Sequence, residues 1–175
     1  MSAEAEVPAT TEDSDAYLSR SRITMYERLG YVAGALLVIS LFLPWFKTNG
    51  DNPNSVITSA GTKPGDSANA WDVFGALPWL LLLLAVAPVI LTWIVARGHK
   101  LAWRPGEVTM VAGMIGVTLV LCNGIILGKP DPNVDLSLAI GWYLALLSCI
   151  LIVTAGFQRQ ALHATGVRKP PGSVN

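Results

Sequence analysis

Four long runs of apolar residues, none with a charged side chain, alternate with polar segments along this chain. The runs are residues 29–46, 73–96, 108–128 and 136–158. A helix needs about 20 apolar residues to cross a hydrocarbon core of about 30 Å. Only helices and closed barrels span a bilayer, and the runs lack the two-residue alternation of barrel strands. The pattern therefore predicts an all-α integral membrane protein, a bundle of four transmembrane helices.

Polar segments of different length connect and flank the four runs. Residues 1–19 contain five acidic and no basic side chains, a composition that predicts a disordered acidic tail. The four-helix transmembrane domain is expected over residues 20–158, followed by a basic tail, residues 159–175. The first two runs are separated by a loop, residues 47–72, in which turn-forming residues precede the β-prone stretch Val56–Thr58. This order predicts a small β-hairpin lying over the bundle.

The distribution of charge indicates how the bundle lies in the membrane. Only 14% of the residues are charged, against about a quarter in soluble domains, and the 12 basic and 12 acidic side chains balance. The balance gives no reason to expect a nucleic-acid partner. Nine of the lysines and arginines fall on one side of the predicted bundle, and three, Lys47, Lys63 and Lys129, fall on the other. Because positive charge stays in the cytoplasm, both termini are expected on the cytoplasmic side of the membrane and the loop on the outer side.

Aromatic residues gather where the runs meet the predicted outer loop. The sequence predicts that five of them anchor this end of the bundle at the level of the lipid headgroups: Trp45, Phe46, Trp71, Phe74 and Trp79. Two Leu-Pro-Trp triplets, residues 43–45 and 77–79, flank the loop. Either they are a matched pair of anchors that fixes how the loop sits, or they coincide by chance in a chain rich in leucine and tryptophan.

Small residues recur at the intervals that bring helix backbones together in lipid. The predicted packing positions are Gly30, Gly34, Gly124, Gly128, Gly141 and Ala145. They serve either contacts within one bundle, the interpretation favoured here, or contacts between two copies in a homo-oligomer. Asn123, the most polar residue of the four runs, is expected to hydrogen-bond to another helix, with a role in lining a polar path as the alternative.

Residues that carry catalysis or bind metals are scarce in this pattern. Cys122 and Cys149 are expected about 9 and 20 Å from the outer ends of their helices, an offset in depth too large for a disulfide. The segment Asp131–Asp135 resembles the start of a calcium loop but lacks its glycine and its final glutamate. Asp135 or Ser137 is expected instead to cap the fourth helix. The sequence therefore predicts no catalytic residue, no cofactor and no metal site.

The residues that enter and leave the outer loop form a distinct pattern. The first run ends in Phe42-Leu-Pro-Trp-Phe46, a loop rich in Gly, Ser, Asn and Thr follows, and the chain re-enters through Ala70-Trp-Asp-Val-Phe74. Over residues 30–95 this arrangement resembles small, uncharacterised four-helix membrane proteins of actinobacteria. The resemblance implies a topology and a bacterial source, and it implies no activity or site residues.

Three functions remain open at this stage. The favoured one is a non-enzymatic inner-membrane scaffold or accessory subunit, which interacts with another membrane protein through its outer loop and helix faces. The alternative is a small oligomeric transporter or channel for a neutral or apolar solute, lined by Asn123 and by threonine and serine side chains. An enzyme of lipid or envelope metabolism, the third, requires a polar cluster at one membrane interface.

Overall fold

Four helices of this chain are long and apolar enough to cross a membrane, as the sequence predicts. The computed structural model describes residues 25–48, 57, 66–96, 105–127, 129 and 135–165. The elements are α1 (Met25–Phe42), β1 (Pro44–Thr48), β2 (Ser67–Asn69), α2 (Ala70–Val73), α3 (Leu77–Ala96), α4 (Pro105–Leu121), a π-helical turn (Cys122–Ile126), β3 (Leu136–Leu138) and α5 (Ile140–Thr165). α5 thus continues into the predicted basic tail, whereas the predicted acidic tail lies outside the described residues.

The long helices form a ring in which each packs mainly against two others. α5 contacts α1 and α4, and α3 contacts the same two helices. Buried apolar side chains from these elements form one core, which includes Leu37, Leu81, Val120, Ala145 and Ile152. Large apolar side chains also cover the outside of the bundle, for example Leu83, Ile115 and Ile150. An exposed surface of this kind suits lipid and not water.

α1 ends at Phe42, whereas the apolar run in the sequence continues to Phe46. Pro44 has no backbone N–H, and its ring disfavours helical geometry at the preceding Leu43. The Leu43 N–H still closes a last turn on the Ser40 carbonyl, at 3.3 Å. From Pro44 onward the chain is extended, so the end of the first apolar run belongs to a strand.

A three-stranded antiparallel sheet lies at this end of the bundle, with β1 between β2 and β3. Phe46 pairs with Ala68 of β2 and with Leu138 of β3, so one row of residues crosses the whole sheet. Phe46, Ala68 and the neighbouring Leu136 are buried in the same core as the helices. The sheet is therefore part of the packed bundle and not a separate layer above it.

The observed strands lie in other parts of the chain than the predicted hairpin. Within Val56–Thr58 only Ile57 is described; it is fully buried and belongs to no strand. The sheet forms instead from the two ends of the loop and from Leu136–Leu138, which the sequence assigned to the fourth helix. Asp135 and Ser137 therefore lie before and within a strand, and the predicted cap is wrong because α5 begins only at Ile140.

Candidate functional site

The segment between Thr48 and Asp66 leaves and re-enters the bundle at adjacent points of the sheet. The Thr48 N–H donates to the Asp66 carbonyl at 3.0 Å, and the Thr48 hydroxyl donates to the same oxygen at 3.4 Å. On the other side of β1, the Ser137 hydroxyl donates to the Lys47 carbonyl at 3.2 Å. We call this pairing of Thr48 with Asp66 the clamp. The clamp holds the two ends of residues 49–65 together. Strand β3, which follows the third loop, pairs with the other side of β1 and supports the clamp.

The two faces of the sheet present different side chains. The cross-strand neighbours Ser67, Lys47 and Ser137 form an exposed row, which we call the polar face. The Ser67 hydroxyl and the Lys47 ammonium group can donate hydrogen bonds to a partner that lies over the sheet, and the Ser137 hydroxyl, which donates to the Lys47 carbonyl, can still accept one. Within the described part of the chain, no group of three or more His, Cys, Asp or Glu side chains is placed to hold a metal ion. The side chains of the polar face can thus form hydrogen bonds with a binding partner.

Trp45 and Phe46, predicted as anchors at the headgroup level, lie inside the protein. Both side chains are fully buried. The Trp45 Nε1 donates to the Ser40 carbonyl at 2.9 Å, in the last turn of α1. The last carbonyl groups of a helix lack their regular N–H donors, and the Ser40 carbonyl otherwise accepts only the longer bond from the Leu43 N–H, at 3.3 Å, among the described residues. Trp45 therefore holds β1 against the end of α1 from within the core, and not from the lipid surface.

Ring contacts join the five predicted anchors in two groups, which together we call the aromatic cluster. Phe74 packs edge-on against Trp45 and Phe46, with ring centroids 5.9 and 6.0 Å apart. Trp71 packs edge-on against Trp79, with centroids 5.1 Å apart. Trp79 is 64% exposed, so its ring lies on the outside of the bundle, where the sequence predicts contact with lipid headgroups. The cluster extends from the core beneath the sheet to the outer surface of α3.

The short helix α2 determines the position of Trp71. The Asn69 Oδ1 accepts from the Trp71 N–H at 2.8 Å and from the Asp72 N–H at 3.0 Å. The Asp72 carboxylate accepts in return from the Asn69 N–H at 3.2 Å, which completes a capping box. The Trp71 Nε1 is buried and has no hydrogen-bond partner among the residues that the structure describes.

The predicted packing glycines bring backbones of one chain into contact. A Cβ atom on Gly34 would overlap the Ala85 carbonyl oxygen, so α1 and α3 cross at the closest approach that backbones allow. A Cβ atom on Gly124 would overlap the Trp142 indole, whose Nε1 donates to the Val120 carbonyl at 3.1 Å. At both positions a larger side chain would collide with the neighbouring segment, which explains why glycine occupies them.

The other packing positions are also inside the bundle. A Cβ atom on Gly141 would lie 2.7 Å from the Pro44 carbonyl oxygen, and one on Gly30 would lie 3.5 Å from the Pro88 Cβ. Ala145 is fully buried. Gly128 lies outside the described residues. The described positions therefore serve contacts within a single chain.

Polar side chains of the long helices turn back onto their own backbones. The Asn123 Nδ2 donates to the Leu119 carbonyl at 2.9 Å, one turn earlier in the same helix and not across to another helix. The same local bond, to a carbonyl three or four residues earlier, is made by the hydroxyls of Thr92, Thr118, Ser148 and Thr154. The groups that the sequence suggested for a polar path are thus hydrogen-bonded locally.

Two charged residues meet at the end of the bundle opposite the sheet. The Arg159 Nη2 lies 2.9 Å from the Glu27 Oε1, and the two side chains are only 14% and 10% exposed. This contact joins the first turn of α1 to α5. Nearby, the Gln160 Nε2 donates to the Glu107 Oε1 at 3.3 Å and joins α5 to α4.

The Glu27–Arg159 pair was missed in the sequence because both residues lie just outside the charge-free runs. A usable signal was present, since one residue precedes the first run and the other follows the fourth. In a bundle of four membrane-crossing helices, those two chain positions lie at the same end. Opposite charges at such positions predict an ion pair between the first and last helices.

The fold defines a class of protein: a multi-pass membrane protein of four helices with a small antiparallel sheet at one end. Comparison with protein-family models, with curated proteins and with solved structures finds no match to this chain. The clamp with its polar face and the ion pair at the opposite end are the two features that bear on function.

Proposed function

We propose that this protein is a non-enzymatic scaffold or accessory subunit of a bacterial inner membrane. It binds another membrane protein through residues 49–65 and through the polar face beside them. The observation that carries the proposal is the clamp, in which the Thr48 N–H donates to the Asp66 carbonyl at 3.0 Å. A segment fixed at both ends on a packed sheet loses less conformational entropy when it binds a partner. Loops held on a rigid support are also where binding residues concentrate.

The interior of the bundle supports a scaffold over a transporter or channel. Asn123, Thr92 and Ser148 hydrogen-bond within their own helices, so their polar groups offer little to a solute. Backbone contact at Gly34 closes the space between α1 and α3. The crevice beside the Glu27–Arg159 pair has an interior volume of about 10 Å³, enough for one water molecule.

The proposed orientation places the polar face outside the cell and both termini in the cytoplasm. Exposed acidic side chains at the sheet end, Asp66, Asp72 and Asp135, outnumber the exposed lysines Lys47 and Lys129. Lysine and arginine are retained on the cytoplasmic side of membrane proteins, and this chain has nine of its twelve at the other end. The resemblance to actinobacterial membrane proteins, which stays a prediction, agrees with a bacterial inner membrane.

Replacement of residues 49–65 by a Gly/Ser segment of equal length tests the proposed role. Ile57 is kept in this variant because its side chain is fully buried. The variant is expected to lose the proteins that co-purify with the wild type in mild detergent, since the clamp remains but the recognised side chains are gone. Quantitative mass spectrometry of cross-linked, affinity-purified samples measures the loss.

The matched control replaces residues 166–175, in the predicted cytoplasmic tail, by a Gly/Ser segment. This control is expected to retain the same co-purifying proteins as the wild type. A wild-type protein that always isolates alone as a monomer contradicts the proposal. Equal recovery of partners with the loop variant and with the wild type contradicts it as well.

A further inference from the structure

All four long helices line one crevice at the end of the bundle opposite the sheet. α1 contributes Tyr26 and Glu27, α3 contributes Thr92, α4 contributes Thr109, and α5 contributes Arg159. The crevice is small, because its interior of about 10 Å³ accommodates a single water molecule. It is the meeting point of the four helices and is lined by one acid, one base and several hydroxyl groups.

The position of the ion pair makes a charge there costly. At 1.5 Å per residue, Arg159 lies about 28 Å along α5 from Ile140, close to the ~30 Å thickness of a hydrocarbon core. A pair of opposite charges taken out of water contributes little net stability, since desolvation offsets most of the attraction. At the edge of that core an arginine side chain can usually extend to the headgroups, yet the side chains of this pair are only 14% and 10% exposed. Stability alone therefore does not account for this pair.

The first turn of α1 has little apolar packing to hold it in place. Met25 is 81% exposed, Arg28 is exposed, Tyr26 is only half-buried, and the first buried residue of the helix is Gly30. The contact between Glu27 and Arg159 joins this weakly packed turn to α5. A charged contact is thus placed where hydrophobic burial does not fix the helix.

We propose that the Glu27–Arg159 ion pair is a latch that keeps this crevice closed. With the pair formed, the first turn of α1 lies against α5, and the Thr92 and Thr109 side chains are shielded. When the pair breaks, the turn moves away from α5 and water enters the crevice from that end. The apolar core toward the sheet, including Leu37 and Leu81, stays packed. Opening therefore gives a blind pocket that faces one side of the membrane and not a channel.

Thiol reactivity at position 109 tests the latch in the purified full-length chain in detergent. Thr109→Cys is made in a background in which Cys122 and Cys149 are both replaced by alanine. We expect Glu27→Gln and Arg159→Gln each to speed the reaction of this thiol with a water-soluble maleimide by about tenfold or more, as loss of a charged hydrogen bond predicts. The double exchange Glu27→Arg with Arg159→Glu is expected to restore the slow reaction.

Arg28→Gln is the matched control, because it removes a neighbouring charge that is exposed and outside the crevice. Its maleimide reaction is expected to match that of the parent. Circular dichroism checks that each variant keeps its helix content. If Glu27→Gln does not fold, the maleimide reaction is measured in Glu27→Asp, whose side chain is shorter by one methylene group. Reaction rates equal to the parent in the folded Glu27 variant overturn the proposal. The measurement is independent of co-purification, so a result that contradicts the latch does not contradict the scaffold role, and the reverse also holds.

Discussion

The indole of Trp45 serves the end of α1 in two ways. It fills the core beneath the sheet, and its Nε1 shares the Ser40 carbonyl with the Leu43 N–H. Ser40 is itself fully buried, and its hydroxyl donates to the Leu37 carbonyl at 2.6 Å. A carbonyl oxygen has two lone pairs, and the Leu43 N–H occupies one of them through a longer bond of 3.3 Å. The side chain that looks like a membrane anchor in the sequence thus supplies the shorter of the two bonds at this helix end.

Gly34→Ala is expected to lower the free energy of unfolding by about 1–3 kcal/mol. The added Cβ overlaps the Ala85 carbonyl oxygen, so α1 and α3 must move apart. Thermal unfolding in detergent, followed by circular dichroism, measures the change. Gly75→Ala is the matched control, since nothing lies within 4 Å of a Cβ at that position. Equal stability of the two variants would show that the helices do not cross at Gly34.

At the scale of elements, β1 ties the outer segment to the helices. The Trp45 carbonyl accepts the Ala139 N–H at 2.8 Å, just before α5 begins. The first turn of α5 is so close that a Cβ on Gly141 would lie 2.7 Å from the Pro44 carbonyl oxygen. β1 thus contacts the end of α1, the start of α5 and both other strands. Displacement of β1 therefore loosens the clamp.

Phe46→Ala is expected to cost about 3–5 kcal/mol of stability, because the fully buried ring leaves a cavity between the sheet and the bundle. Hydrogen exchange of the Thr48 amide, which donates within the clamp, is expected to speed up in the same variant. Phe42→Ala is the control, since Phe42 is 65% exposed and makes a ring contact with Trp71. Its expected cost is about 1 kcal/mol. An unchanged exchange rate of the Thr48 amide in Phe46→Ala would show that the clamp does not depend on the packing of the core.

The elements differ in how far the sequence predicts them. The long helices are predicted by apolar runs, which are a local property of the sequence. An apolar run in lipid forms a helix because its backbone N–H and C=O groups must hydrogen-bond to each other. Strand β3 has no such local signal, because Leu136–Leu138 reads as the start of a helix. It is a strand because it pairs with β1, and Ser137 and Lys47, which are hydrogen-bonded there, are 90 residues apart in the chain.

The whole molecule has two unlike ends. One carries the polar face, the clamp and the aromatic cluster, and the other carries the Glu27–Arg159 pair with its crevice. The apolar surface between them is suited to lipid. Four helices that are long and apolar enough to cross a membrane connect these two ends.

Cysteine labelling in intact bacterial cells tests the proposed orientation. In a background with Cys122 and Cys149 replaced by alanine, Lys63→Cys is expected to react with a membrane-impermeant maleimide added outside. Arg168→Cys is expected to react only after the membrane is disrupted, because the positive-inside rule places that tail in the cytoplasm. The reverse pattern, or reaction of both thiols in intact cells, contradicts the orientation.

The sequence by itself determined that four helices are long and apolar enough to cross a membrane and which part of the chain forms each one, because length and apolarity are properties of single segments. It also marked Gly34, Gly124 and Gly141 as positions of close approach, since small residues at such intervals let helix backbones come together in lipid. Only the tertiary structure decided that Trp45 and Phe46 are buried and that the loop ends pair in a sheet. It alone also brought Glu27 to Arg159. These features depend on which distant segments meet, and a local pattern of apolar and polar residues does not contain that information.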